Sequence, residues 1–264
     1  MICEKCKGKM NWSIEGATQG WRCPMCGWNI ITTYIEDIDR DETEYSLYIK
    51  NVTEVDAEKI KMASEKLKHA LELIQVCESK EQLRGFEGEA ASVYFGVFDE
   101  MILQQKKDFV FHRRSKRPPM DNMNAMLSFV YTLLTNTITS ALECVGLDPY
   151  VGYLHTERPG RVSLALDMIE ELRAVLADRF VLTLVNKKIV SGKNFTQKEN
   201  GAVIMDDELR RRLLTEWQNK KKETITHPFL KEKVEWGIVP YVQAMLLARY
   251  LRGDLDSYPV FLWK

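Results

Sequence analysis

Apolar residues recur every three to four positions through most of the chain beyond residue 56, and this spacing is typical of amphipathic helices. It predicts helices near residues 57–76, 86–104, 121–145, 163–176, 207–222 and 233–251. A short hairpin is expected within residues 190–203. The fold class is therefore mainly α, with an all-helical main domain apart from that hairpin.

The first fifty residues differ, because they contain stretches rich in β-branched and aromatic residues. Residues 29–35 and 45–49 are predicted to form two strands joined across a charged turn. We therefore expect a small zinc-ribbon and β-hairpin module at residues 1–52 and a helical domain at residues 53–264.

Two Cys-x2-Cys pairs lie in the N-terminal module, separated by sixteen residues, and a glycine follows each pair closely. This spacing is typical of a structural Zn²⁺ site with four thiolate ligands. Disulfides would require an oxidising compartment, and a thioredoxin-type redox site would need one such motif beside a βαβ unit. The predicted zinc ligands are Cys3, Cys6, Cys23 and Cys26.

Composition and charge narrow the classes of function. The chain has 264 residues, of which 45% are hydrophobic, and a formal net charge of −1. No apolar run approaches the length of a membrane span and nothing resembles a signal peptide, so we expect a cytoplasmic protein without a membrane partner. Since the net charge is close to zero, attraction to a nucleic acid would have to come from local patches.

The most promising basic patch lies just before Pro118 and Pro119. Two prolines prevent a helix from running through, which leaves these cations on a loop ahead of a helix capped by Asp121. The predicted phosphate-binding residues are Arg113, Arg114, Lys116 and Arg117.

Carboxylates and one histidine in three separate segments suggest a divalent cation site. Glu87 lies between Gly85 and Gly88, and His155 precedes a helix that carries Glu170. Two carboxylates and an imidazole suit Mg²⁺ or Mn²⁺ and would leave positions open for a phosphate and a nucleophile. The alternative is that these acids belong to a turn and to a solvated helix face.

Five motifs in order resemble the CRISPR-associated adaptation integrases, the Cas-one family. They are Arg84-Gly-Phe-Glu-Gly88, the segment 117–129, Gly152-Tyr-Leu-His155 with the residues to 161, Ser163-Leu-Ala-Leu-Asp167, and the segment 243–254. The resemblance runs from about residue 83 to residue 264. It departs from the family at Asn122, where proline is common, and at the N-terminus, which is too short for the usual β-sandwich domain.

The resemblance implies a metal-dependent DNA endonuclease and integrase, in which the 3′-hydroxyl of a short DNA fragment attacks a phosphate at the edge of a CRISPR repeat. By matching motifs, the implied metal ligands are Glu87, His155 and Glu170, with Asp167 as an accessory catalytic acid. The implied partners are double-stranded DNA, at least one further copy of the chain, and the small Cas-two protein. Two alternatives stay open: a repair nuclease that cuts branched DNA without integration, and a non-catalytic nucleic-acid scaffold.

Overall fold

The computed structural model describes residues 11–15, 18–22, 29–34, 56–156 and 158–263. The chain divides into two compact units, Met1–Ala57 and Glu58–Lys264, close to the boundary predicted after residue 52. The predicted zinc ligands Cys3, Cys6, Cys23 and Cys26 lie outside the described residues, as does the strand predicted at 45–49. The zinc ribbon therefore stays a prediction.

The described part of the smaller unit is a three-stranded antiparallel sheet in the order β1, β2, β3. Its strands are Asn11–Glu15, Thr18–Arg22 and Asn29–Tyr34. β3 agrees with the strand predicted from β-branched residues. β1 and β2 were not predicted, because their alternating pattern is short and interrupted by polar residues.

The larger unit is mainly helical, as the repeat of apolar residues predicts. Its helices are α1 Ala57–Gln75, α2 Lys80–Gly96, α3 Asn122–Cys144, α4 Ser163–Leu172, α5 Arg179–Asn186, α6 Asp207–Lys222 and α7 Val239–Leu251. Two short hairpins correct the expectation of an all-helical domain with at most one hairpin. They pair β4 Phe195–Gln197 with β5 Val203–Met205, and β6 Thr224–Thr226 with β7 Lys233–Glu235.

Helix α3 is the centre of the hydrophobic core, and α4, α5 and α7 pack against it. The Asp121 carboxylate caps its first turn as predicted, accepting the Asn124 amide at 2.7 Å. By length and composition α3 is apolar enough to cross a membrane, contrary to the expectation that no such run exists. Ten of its residues are buried by neighbouring elements, which accounts for that composition.

Two helix starts differ from prediction for identifiable reasons. Helix α2 begins after Ser79, whose side chain accepts the Gln82 amide at 3.2 Å, and it runs through Gly85 and Gly88. It therefore starts six residues before the predicted residue 86, and it ends at Gly96 rather than at residue 104. The helix predicted from residue 233 begins at residue 239, because Lys233–Glu235 pairs as strand β7.

A π-helical segment, Arg173–Asp178, joins α4 to α5. It places the Asp178 carboxylate in the core, where Oδ2 accepts the Tyr94 hydroxyl at 2.9 Å and Oδ1 accepts the Tyr131 hydroxyl at 2.5 Å. Burial raises the pKa of Asp178, and the two hydroxyls oppose this rise. The segment is therefore fastened to α2 and α3 by hydrogen bonds to one buried acid.

Replacing Tyr131 by phenylalanine should lower the free energy of unfolding by about 1.5–3 kcal/mol, because a buried carboxylate loses a donor. Urea denaturation measures this loss, and the denaturant slope should stay unchanged. Tyr150→Phe, at an exposed tyrosine, should have almost no effect. Equal stability of the two variants would show that the Asp178 hydrogen bonds contribute little.

Candidate functional site

Asp167 holds the loop that carries His155. Its Oδ2 accepts the amides of Tyr153 at 2.5 Å and Leu154 at 3.1 Å, and its Oδ1 accepts the His155 amide at 2.9 Å. The same Oδ1 lies 2.7 Å from Nδ1 of the His155 ring. One carboxylate on α4 thus fixes three backbone positions and the direction of the imidazole, as carboxylates behind metal-binding histidines do.

Arg84, on α2, also binds the loop that carries His155. Its Nε and Nη2 donate to the Leu154 carbonyl at 2.8 and 2.6 Å. Arg84 lies three residues before Glu87 on α2, so these positions share a helix face. The guanidinium therefore links the helix of Glu87 to the loop of His155.

Gly152 allows this loop to approach α4. A Cβ atom at Gly152 would lie 2.7 Å from the Ser163 Cβ and 2.9 Å from Asp167 Oδ2, closer than such atoms can stand. The Leu164 amide donates to the Pro149 carbonyl at 2.9 Å, which completes the contact between loop and helix start. Packing of the loop against α4 therefore requires glycine at position 152.

Glu170 lies one turn after Asp167 and faces a different set of groups. Its Oε1 accepts a hydrogen bond from Arg173 Nη1 at 2.8 Å. Burial raises the pKa of Glu170; Arg173 opposes this rise, the Glu87 carboxylate adds to it, and His155 and Lys116 oppose it. Glu87, His155 and Lys116 are therefore within electrostatic reach of Glu170.

Lys116, on the basic loop, is within electrostatic reach of Glu170 and Glu87. Partial burial and the guanidinium groups of Arg114 and Arg173 lower the pKa of Lys116, while Glu170 and Glu87 raise it. The sequence placed Lys116 in a phosphate-binding patch but did not predict its proximity to the acids.

Arg114 points inward. Its Nη1 donates to Asn124 Oδ1 at 2.6 Å, its Nη2 donates to Ser128 Oγ at 3.1 Å, and its guanidinium carbon lies 5.1 Å from the Tyr131 ring centroid. Asn124 in turn donates to the Arg113 carbonyl at 2.9 Å. These contacts give Arg114 a structural position that shapes the loop.

The other predicted phosphate-binding residues, Arg113, Lys116 and Arg117, are exposed to solvent, Lys116 only in part. They lie on the loop shaped by Arg114 and Asn124. Their predicted contact with DNA stays a prediction.

Comparison with known proteins places the chain in a family. A family model described as CRISPR associated protein Cas1 matches residues 37–219. A Rhodospirillum rubrum protein named CRISPR-associated endonuclease Cas1 2 is 52% identical over 206 residues, which are 78% of this chain and 60% of that protein. The chain belongs to the Cas1 family.

A Leptospira interrogans relative, named CRISPR-associated endonuclease Cas1, is 47% identical over 215 residues, covering 81% of this chain and 84% of that protein. The chain thus spans most of this shorter Cas1, but only about three fifths of the Rhodospirillum rubrum protein.

Two solved structures share the fold. One, titled a casposase bound to integration product, is 18% identical with a TM-score of 0.67 and covers 96% of this chain and 91% of its own. The other, titled a partial Cas6-RT-Cas1--Cas2 complex, is 23% identical with a TM-score of 0.67 and covers 81% of this chain and 63% of its own. At these sequence identities, both comparisons show a shared fold and no more.

The donor set of this Cas1 chain fits a hard divalent cation, although the donors are not gathered into a coordination shell. Among the described residues, no three His, Cys, Asp or Glu side chains are close enough together to hold a metal as they stand. Glu170 is instead paired with Arg173. Two carboxylates and an imidazole are a suitable set for Mg²⁺ or Mn²⁺.

Glu171, beside Glu170, contacts the end of the chain. Its Oε1 accepts the Tyr258 hydroxyl at 2.6 Å, and its Oε2 accepts Gln243 Nε2 at 2.6 Å and the Phe261 amide at 2.9 Å. Adjacent acids on α4 thus have separate roles, because successive helical residues point in different directions.

Replacing Asp167 by alanine should raise the hydrogen-exchange rates of the amides of residues 153–155 by about 10- to 100-fold, because three donors lose a charged acceptor. Exchange followed by NMR measures this change. Asp148→Ala is the matched control, since the Asp148 carboxylate accepts the Tyr150 amide and, in the described structure, none of the amides of residues 153–155. Unchanged protection at residues 153–155 would contradict the role assigned to Asp167.

Proposed function

We propose that this Cas1 chain is a metal-dependent DNA endonuclease and integrase that inserts short DNA fragments into a CRISPR repeat. The proposal is supported chiefly by one observation: Asp167 on α4 and Arg84 on α2 both bind the His155 loop, which links it to the helices that carry Glu170 and Glu87. The relatives named endonucleases and the casposase with its integration product support the same class of reaction.

The proposed reaction is a transesterification. The oxygen of a 3′-hydroxyl forms a bond to a phosphorus of the repeat, and the bond from that phosphorus to the repeat's own 3′ oxygen breaks. The proton of the attacking hydroxyl passes to solvent, and the departing 3′ oxygen takes a proton from solvent to become a hydroxyl. One phosphodiester replaces another, so no nucleotide cofactor is needed. Mg²⁺ or Mn²⁺ held by Glu87, His155 and Glu170 would supply Lewis-acid chemistry, acidifying the hydroxyl and neutralising charge on the phosphate.

The protein's own groups prepare this step. Asp167 turns Nδ1 of His155 towards itself, so Nε2 is the ring nitrogen directed to a ligand. Arg173 keeps the Glu170 carboxylate oriented at 2.8 Å. Lys116 adds a positive charge beside the acids, where a phosphate would otherwise be repelled.

Helix α2 has no side chains at the two glycines on either side of Glu87, which leaves room for a nucleic-acid backbone to approach it closely. Gly85 and Gly88 are exposed on α2, and a Cβ atom at either would meet nothing within 4 Å. Glycine within a helix costs about 0.5–1 kcal/mol relative to alanine, and no packing in the described chain requires it here. We infer that this space is used by the substrate.

The partners belong to the same proposal. Double-stranded DNA, a second copy of the chain and a Cas2 protein are inferred from the family and from the Cas1–Cas2 neighbour. A structural Zn²⁺ on Cys3, Cys6, Cys23 and Cys26 is inferred from their spacing alone.

Replacing Glu87 by glutamine should reduce joining by on the order of 10³-fold, because the loss of one anionic ligand removes several kcal/mol of charge stabilisation. The assay supplies a labelled 3′-hydroxyl duplex and a repeat-bearing plasmid with Mn²⁺ or Mg²⁺, with and without Cas2. Glu89→Gln, an exposed carboxylate on the same helix, is the matched control and should join normally. Cleavage of branched DNA without joining by the unmodified protein would favour the repair nuclease, and full joining by Glu87→Gln would contradict the proposed site.

Gly88→Ala should stabilise the fold by about 0.5–1 kcal/mol and yet weaken joining, because the added methyl group occupies the surface offered to DNA. Thermal unfolding and the Michaelis constant for DNA separate the two effects. Gly96→Ala, also in open space on α2, serves as the control and should leave joining unchanged. Normal DNA affinity in Gly88→Ala would refute the close approach.

A further inference from the structure

On the larger unit, the loop of residues 101–108, which follows the end of α2, is hydrogen-bonded to the loop of residues 185–193. Asn186 Oδ1 accepts the Leu103 amide at 2.8 Å, and its Nδ2 donates to the Met101 carbonyl at 3.0 Å. One amide side chain therefore holds the backbone of the opposite loop through both its oxygen and its nitrogen.

Two further side chains fix the same arrangement. Gln105 Nε2 donates to the carbonyls of Val185 and Val190, each at 3.0 Å. From α6, Arg212 Nη1 donates to the Ile189 carbonyl at 2.9 Å. The start of α6 is thereby joined to the two loops, and all three segments present a rigid common surface.

This surface, which we call the far basic surface, is rich in cations. The two loops and the first six residues of α6 carry eight positively charged residues: Lys106, Lys107, Lys187, Lys188, Lys193, Arg210, Arg211 and Arg212. The carboxylates on the same segments or bound to them are Asp99, Asp108, Asp206, Asp207 and Glu208, of which Asp99 lies 4.0 Å from Lys106 and Asp207 lies 3.1 Å from Arg210. Eight cations thus outnumber five acids, in a chain whose net charge is −1.

The far basic surface is separate from the acidic site. Glu87 lies in the middle of α2, and the nine residues from there to Gly96 rise by about 13 Å. The fastened loops begin only after a further helical turn, at residues 98–101. The groups that act electrostatically on Glu170 are Arg173, Glu87, His155 and Lys116, none of which lies on the far basic surface.

We propose that the far basic surface is a second DNA-binding site, which contacts phosphates of a duplex other than the reacting phosphate. Fixed backbone geometry and a local excess of cations suit a regular polyanion, whose attraction is electrostatic and independent of sequence. The inference rests on the proposed function only in taking DNA as the substrate.

The test is the salt dependence of duplex binding by the full chain. The triple variant Lys107→Gln, Lys188→Gln and Lys193→Gln should bind a duplex of about 30 base pairs at least about tenfold more weakly near 0.1 M salt. The slope of log affinity against log salt should become less steep by about 2–3, since each phosphate contact contributes about 0.9. Joining at saturating DNA should keep its rate, because the substituted residues lie away from the acids.

The matched control neutralises three exposed lysines of α1, Lys61→Gln, Lys66→Gln and Lys68→Gln. These cations alternate with Glu58, Glu65 and Glu72, so their local potential is weak, and the slope should stay unchanged. Circular dichroism and thermal unfolding confirm that both triple variants are folded.

An unchanged slope in the far-surface variant would overturn the proposal, as would an equal change in the α1 control. A variant that binds DNA normally but loses affinity for polyglutamate would also overturn it, by assigning the surface to an acidic protein. If the triple variant shows the slope change but the unmodified protein joins no DNA, the proposed function is refuted and this site stands.

Discussion

The geometry of the candidate site depends on the double restraint of the loop that carries His155. Asp167 accepts the amides of residues 153, 154 and 155, while Arg84 donates twice to the carbonyl of residue 154. Hydrogen bonds to charged groups contribute about 1.5–3 kcal/mol each, so this loop is held far more firmly than an ordinary surface loop. Because Arg84 belongs to the helix of Glu87 and Asp167 to the helix of Glu170, the restraint also aligns the three segments.

The negative charge of the acids in this site is only partly compensated by nearby cations. Arg173 and Lys116 partly compensate Glu170, and burial together with Glu87 keeps its proton affinity high. A carboxylate in such surroundings gains from a cation brought by metal or substrate, which agrees with chemistry on a phosphate backbone.

Much of the fold was predictable because apolar periodicity reports burial directly. The central helix, its Asp121 cap and the positions of Asp167 and Glu170 on one helix were confirmed. The start of α2 at Lys80, ahead of Gly85, was not predicted, since glycine in a helix is locally unfavourable. Arg84 was overlooked for a different reason: its partner is a backbone carbonyl seventy residues away, and sequence patterns carry no signal for such a contact. Arg114, predicted to contact phosphate, has internal partners that depend on where Asn124 lies in the fold.

The central claim is that Glu87, His155 and Glu170 bind one catalytic cation. Anomalous diffraction from crystals of the full chain grown with Mn²⁺ tests it most directly. The account predicts a single anomalous peak about 2.1 Å from a carboxylate oxygen of Glu87, Nε2 of His155 and a carboxylate oxygen of Glu170, with Arg173 turned away from the metal. A peak bound by other residues, or Mn²⁺ that leaves the Glu170–Arg173 pair intact and these side chains unligated, would contradict it.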